Sequence, residues 1–566
     1  MSTSFISQLR TYNQGLLKSD AIAGLTVAVM LVPQGMAYAL LSGVPPIYGL
    51  YAGLIPLLIY PFFGTSRHLS VGPVALVSIL VLTGLTEFAE PFSEEYISLA
   101  ILTSLVAGLI QVILSLFKMG FLVNFLSHPV INGFTSAAAL IIGVSQLKYF
   151  FGIAVPRSGS IVSTVKDLFT HLNDVHLITL LIGAGGLALI LILKRVNKSI
   201  PGSLIVVILS IFLVFIFGWH KDGVAIVEEV PKGLPGFYLP ALTIENIVNV
   251  FPLALIICLI SFIESLAIAK TLAAKHDNYP IKANKELLGL GMAKIIGSFF
   301  QGIPNTGSFT RSAINEQAGA KTGVSSLFAA IIIALTLLFF TPLFYYLPQA
   351  ILATIVISAV FGLIDIKGAK KLFYHDRNDF YVLITTFVLT LFLGIREGVL
   401  TGIILSLVMI IIKVSKPHFA ILGNLPNTPF YRNVDRYEEA ITDPRYLVFR
   451  YDADIFFGNA EHFYETALEK VSKHPELKVF MLDASSIGHI DSTGIHQLKL
   501  LKESLDKQNI QFIITSLRGP VRDIFRTNNL YQLISKENIY LHIDHAVNAF
   551  NNQTENILQA DKKEYK

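Results

Sequence analysis

Between two apolar runs lies the polar stretch IPNTGSFTRSAINEQAGAKTG (303–323), too polar for a lipid-facing span and too long for a tight turn. Pro304 breaks the chain there, and Thr306 and Ser308 can cap a helix starting near Gly307. That helix is short, carries Arg311 and runs out at Gly319. Thr306, Gly307, Ser308, Phe309, Thr310 and Arg311 thus offer backbone N–H groups, hydroxyls and one fixed positive charge together. This is the chemistry of holding an anion at a helix N-terminus. A second break, Gly72-Pro73, is expected to open another short helix, with the N–H groups of Val74 and Ala75 free for the same anion. Pro33 disturbs an apolar segment near its middle, and Gln34 and Tyr38 follow it one turn apart on one face. An amide and a phenol can hydrogen-bond an oxyanion without adding charge. Glu264 is the one carboxylate expected deep in an apolar segment, where an acid must be neutral or paired. It is suited either to exchanging a proton or to pairing with Arg311.

Such residues need helices to hold them, and the composition supplies these. The chain has 566 residues, of which 53% are hydrophobic and only 14% charged, and its mean hydropathy is +0.62. Soluble proteins average about 25% charged residues, so most of this chain belongs in lipid. Residues 21–415 read as a membrane domain of fourteen segments, at 21–42, 46–63, 73–86, 97–117, 127–147, 175–193, 200–218, 248–270, 284–300, 307–319, 323–342, 348–364, 378–394 and 397–414. The third and the tenth are short and preceded by Gly or Pro. Broken helices at matching positions of two halves point to an inverted repeat with its site at the midplane.

Lys and Arg gather in the loops of one side, from Arg10 and Lys18 through Lys194, Arg195 and Lys198 to Lys367 and Arg377, while the loop TEFAEPFSEEY (86–96) opposite is acidic. The basic side is expected to be cytoplasmic, with both termini inside; Lys148, Arg157 and Lys166 are exceptions. The polar N-terminal segment 1–20 is expected to carry no cleavable signal. The net charge of +4 sits in membrane-flanking loops and argues for no nucleic-acid partner. One cysteine, Cys258, allows no intrachain disulfide, and no metal or cofactor is expected.

After a linker at 416–436, residues 437–552 alternate strand and helix: YLVFRYDADIFF, LKVFMLDA and IQFIITS with helices between them. That pattern predicts a layered α/β domain of roughly 110 residues, a usual domain size. The tail 553–566 is polar and expected to fray. His489, His496 and His542 are scattered and expected at the surface.

The stretches VPQGMAYALLSGVPPIYGLYAG, SVGP, FIESLAIAK and PNTGSFTRSAINEQAGAKT, in this order, resemble the sulfate permease (SulP) family. The resemblance covers nearly the whole chain. It implies fourteen segments in a seven-plus-seven inverted repeat, a core moving against a gate, and a homodimer in the plasma or inner membrane. It places an anion between the third and tenth half-helices, with Gln34, Tyr38 and Thr306 to Arg311 as contacts. It assigns Glu264 to proton rather than sodium coupling. The run TGSFTRSAIN is closest to sulfate transporters, so proton-coupled sulfate uptake is the expected activity. Bicarbonate, chloride or dicarboxylate exchange, a passive anion conductance and a membrane-anchored sensor are the alternatives.

The segment MLDASSIGHIDSTGIHQL (481–498) resembles the STAS domain, found in this family and in anti-sigma-factor antagonists. Antagonists are phosphorylated at the turn matching Asp491-Ser492-Thr493-Gly494. Ser492 can equally serve as a helix cap, with Ser492 and Thr493 as the regulatory candidates. The domain carries no nucleophile–base pair, so a regulatory or dimer-contact module, open to a cytoplasmic partner, is expected in place of an enzyme.

Overall fold

The computed structural model describes residue 5 and residues 12–121, 127–153, 161–196, 201–276 and 279–552. Arg10, Arg157, Lys198, most of residues 1–11 and the tail 553–566 lie outside the described residues. The chain divides into two compact units, Met1–Ser406 and Leu407–Lys566.

Helix α1 (Gln14–Leu41) starts earlier than expected because Asn13 caps it, its side chain accepting from Leu16 N. It runs on through Pro33. α2 (Pro46–Phe63) opens on proline at its first position. The chain then forms β1 (Val71–Gly72), α3 (Ala75–Leu85), α4 (Glu94–Leu116) and α5 (His128–Phe151). An amphipathic α6 (Ile161–Thr170) carries Lys166, and α7 (Leu177–Val196) and α8 (Gly202–Phe217) complete the first half.

The second half holds α9 (Ile244–Ala274), α10 (Ala283–Phe299), β2 (Thr306–Gly307), α11 (Phe309–Gln317) and α12 (Val324–Leu335). α13 (Gln349–Val360), α14 (Ile366–His375), α15 (Arg377–Leu393) and α16 (Ile395–Ser415) follow. Every apolar segment read from the sequence contains a helix, with α6 and α14 additional to them. Among the described residues, eight helical stretches are long and apolar enough to cross a membrane outright.

The helices pack in two sets. In one, α10 lies on α2 and α4, α9 on α4, and α12 on α1 and α2. In the other, α13 and α15 pack on α5, and α7 on α13.

The second unit is a six-stranded sheet ordered β4-β3-β5-β6-β7-β8. These strands are β3 (Phe419–Asn424), β4 (Tyr431–Asn433), β5 (Tyr446–Tyr451), β6 (Val479–Asp483), β7 (Gln511–Thr515) and β8 (Ile539–Tyr540). β5 to β8 are parallel, and β3 joins β5 and β4 antiparallel. Strand alternation gives the sheet two apolar faces. Phe449, Phe480 and Phe512 meet the helices α17 (Ala460–Ser472), α18 (Ser492–Lys507) and α19 (Gly519–Thr527) on one face. Val448, Met481 and Ile513 meet the helix at 543–552 on the other. His489, His496 and His542 are exposed.

This corrects the linker. Residues 416–436 contain β3 and β4, and β3 covers an edge of β5 with Ala420 and Leu422 buried. A fragment 416–552 should therefore melt cooperatively. A fragment starting at 437 loses a strand pairing and two buried side chains, about 3 kcal/mol or more. Its melting temperature should fall by roughly 10 °C or more in a calorimetric scan. Equal melting of the two fragments would show that β3 adds nothing to the domain.

Candidate functional site

The site is built where the two broken segments cross. β1 and β2 pair antiparallel, Val71 opposite Gly307 and Gly72 opposite Thr306, so the short helices α3 and α11 start beside one another. The crossing is held from outside the pair. Ser308 N donates to Ser70 O at 3.0 Å, and Ser70 N to Ser312 Oγ at 2.9 Å. Ser261 and Ser265, one turn apart on α9, grip β2. Thr306 Oγ donates to Ser261 O at 3.0 Å and lies 2.9 Å from Ser265 Oγ, which accepts from Gly307 N at 2.9 Å. Sequence reasoning missed both serines, although a Ser-x-x-x-Ser pair in an apolar helix was visible.

Two details of the helix starts differ from expectation. Pro73 stands before α3, whose cap is Val74 and whose first residue is Ala75, so the amides with no intrahelical acceptor are those of Val74, Ala75, Leu76 and Val77. Thr306 is a strand residue bonded to α9, and Ser308 alone caps α11, accepting from Arg311 N at 3.4 Å. α3 has no side-chain cap although Val74, Ala75, Leu76 and Val77 are all buried. A buried helix start without partners is unusual, and a ligand is one way such amides are satisfied.

Arg311 is 0% exposed. Its Nη1 donates to Gln34 Oε1 at 3.4 Å, while Nε and Nη2 have no partner among the described residues. Gly72 makes room for it: a Cβ there would lie 3.2 Å from Arg311 Nη2. Tyr38 and Glu264 are near enough to act electrostatically on Arg311. Among the described residues, Glu264 and Arg311 form no ion pair and Glu264 Oε2 is buried without a hydrogen bond. Phe309 and Thr310 are exposed at the start of α11. Gln34, Tyr38, Glu264, Arg311 and both helix starts are thus brought to one place.

Glu264 is only half-buried, and two other carboxylates of this unit are fully buried. Asp20 accepts from Lys321 N at 2.7 Å, Thr322 N at 3.1 Å and Thr322 Oγ at 2.5 Å. Glu286 accepts from Tyr60 Oη at 2.5 Å and Thr65 N at 2.6 Å. Both are satisfied clamps between helix ends, which sets the unpartnered Glu264 oxygen apart. Sequence reasoning also passed over Lys294, fully buried in α10.

In the second unit the cap of α18 is Asp491, whose carboxylate accepts from Gly494 N at 2.8 Å and Phe457 N at 2.8 Å. Ser492 therefore does not cap the helix; it and Thr493 are exposed.

Crossed half-helices gripped by long apolar helices, followed by an α/β domain, define an integral membrane protein of the transporter kind, not an enzyme. Residues 17–386 match the sulfate permease family and residues 437–546 the STAS domain. The chain belongs to the sulfate permease family. It is 39% identical over 558 residues to Sulfate transporter 4.1, chloroplastic, of Arabidopsis thaliana, covering 95% of this chain and 81% of that one. It is 35% identical over 577 residues to High affinity sulfate transporter 1 of Stylosanthes hamata, covering 96% and 85%. Among solved structures it is similar to the murine Solute Carrier 26 family member A9 anion transporter in its inward-facing state. That match has a TM-score of 0.88 and 25% identity, covering 96% of this chain and 93% of that one. The transmembrane domain of a cyanobacterial bicarbonate transporter shares the fold, with a TM-score of 0.62 and 22% identity over 70% of this chain and 98% of that one.

Proposed function

We propose that this protein carries sulfate together with protons across the membrane by alternating access. The observation that carries the reading is the buried, uncapped start of α3 facing the crossing that also holds the unpartnered atoms of Arg311. An oxyanion between the helices would take N–H groups from Ala75, Leu76, Phe309 and Thr310 and a forked contact from Arg311. Gln34 and Tyr38 supply neutral polar contacts beside it. Ser308 fixes the helix start, and Thr306 and Gly307 hold the crossing in place. Glu264 is the proton-binding group. Sulfate as substrate rests on the relatives named as sulfate transporters, each matched over most of this chain. The protein acts as a homodimer with its termini and STAS domain in the cytoplasm, where exposed Ser492 and Thr493 are open to a regulatory kinase.

Labelled sulfate uptake into liposomes tests this. An imposed inward proton gradient should drive accumulation above equilibrium. Competition by bicarbonate, chloride and dicarboxylates should be weaker than by unlabelled sulfate. Uptake that ignores the pH step but follows the membrane potential would mean conductance, and uptake needing an internal anion would mean exchange.

A further inference from the structure

We infer that Lys294 is a second proton-binding group of the transport core, taking up a proton as the dianion enters and releasing it as the dianion leaves. The inference rests on the sulfate–proton reading above.

Lys294 lies in α10 where α10 crosses α4. The crossing is close: a Cβ on Gly291 would lie 2.9 Å from the Gly108 carbonyl oxygen. One turn on from each glycine, Lys294 Nζ donates to Gln111 Oε1 at 3.1 Å. Both side chains are 0% exposed. Gln111 cannot turn away, because its Nε2 donates to Cys258 O at 3.0 Å and Ser261 Oγ at 2.9 Å. Lys294 forms no ion pair among the described residues.

The elements around it supply no counter-charge. α4 carries no charged residue between Glu95 and its last residue, Leu116. α9 presents the Cys258 thiol to Lys294, and its carboxylate Glu264 lies towards Arg311. From α2 comes Tyr60, bonded to Glu286 of α10, which Thr65 also holds. An ammonium enclosed this way is costly, whereas a neutral amine with one amide partner is tolerated. The missing negative charge arrives with the substrate.

The group is also wired to the site. Gln111 bonds Ser261, Ser261 O accepts from Thr306 Oγ, and Thr306 belongs to the β2 crossing where the anion would sit. Protonation of Lys294 and anion binding therefore favour one another reciprocally, and a dianion gains about twice what a monoanion gains from the same charge. The balance is simple. One proton converts the Glu264 carboxylate to the acid, one converts the Lys294 amine to the ammonium, and the dianion then crosses with no net charge. Both protons come from the outer solution and are released inside with the sulfate.

Proton uptake on sulfate binding tests this in the purified full-length protein, by calorimetry in buffers of different ionisation enthalpy. Wild type should absorb about two protons per sulfate, and Lys294→Met and Glu264→Gln about one each. In liposomes, Lys294→Met uptake should become sensitive to an imposed membrane potential where wild type is not. A wild-type proton count in Lys294→Met overturns the inference and leaves the transport reading standing. Sulfate binding by wild type without proton uptake overturns the proton-coupled reading itself. If Lys294→Met binds no sulfate, Lys294→Arg, which holds its proton throughout, should bind with about one proton. Failure of that variant to bind, or a wild-type count in it, would also sink the inference.

Discussion

Arg311→Gln is expected to weaken sulfate binding by about tenfold or more, which corresponds to at least about 1.4 kcal/mol. The guanidinium is fully buried, and two of its nitrogens have no partner among the described residues. Enclosed charges interact more strongly than charges in water, so losing this one should dominate any loss of hydrogen bonding. The ligand-free protein should respond differently. An uncompensated buried cation destabilises its surroundings, so Arg311→Gln should melt at the wild-type temperature or above it. The two effects separate in one experiment. Sulfate raises the wild-type melting temperature through its binding free energy, and that increment should shrink or vanish in the variant. Arg311→Lys should fall between them, keeping the charge but losing the forked geometry. Ser308→Trp at the helix cap should block uptake sterically. Equal sulfate-dependent stabilisation of wild type and Arg311→Gln would place the anion elsewhere.

The half-helices were legible because a proline or glycine beside a short apolar run changes what the backbone can do. The exact starts were not. Gly72-Pro73 suggested proline at the first helical position, but β1 must pair with β2 first, and that tertiary pairing delays the helix to Ala75. Thr306 looked like a cap for the same reason that Ser308 is one. Only the approach of Ser261 and Ser265 decides that its hydroxyl turns to α9 instead.

Lys294 was hidden by its own helix. The segment already carries Lys285 and Glu286, so one more charge does not stand out, and the partner of Lys294, Gln111, is 183 residues away in the chain. The STAS sheet shows the opposite difficulty. Its parallel strands β5, β6 and β7 are largely apolar, while β3 ends on Gly423 and Asn424, β4 spans only Tyr431–Asn433, and a turn-rich stretch separates both from β5. Segments like FAILGN become strands only because β5 offers an edge. At the start of α18, aspartate and serine are both good caps. The choice falls on Asp491 because its carboxylate also reaches Phe457 N, a contact remote in sequence.

Glu264→Gln should sharply reduce the accumulation of sulfate driven by a proton gradient while leaving sulfate binding and sulfate/sulfate exchange in place. The amide imitates the protonated acid in shape and neutrality but cannot release a proton. Moving one charge against 100 mV costs about 2.3 kcal/mol, so a dianion alone faces roughly twice that. One proton per sulfate would leave a net negative charge to move, and two would leave none. Locking Glu264 in its neutral form removes one of these protons, so only the proton proposed at Lys294 still links the anion to the gradient. The unpaired state of Glu264 supports this choice, since a carboxylate fixed by Arg311 would have little reason to take up a proton. The measurement is uptake at fixed sulfate after a pH step, in wild type and Glu264→Gln at equal incorporation. Exchange of labelled for unlabelled sulfate at symmetric pH reports whether the site is intact. Wild type should concentrate sulfate strongly after the step, Glu264→Gln much less, and Glu264→Gln combined with Lys294→Met should only equilibrate it. If Glu264→Gln concentrates sulfate as strongly as wild type, Glu264 carries no coupling proton, whereas a wild-type requirement for sodium with no response to pH would transfer the coupling to a different ion.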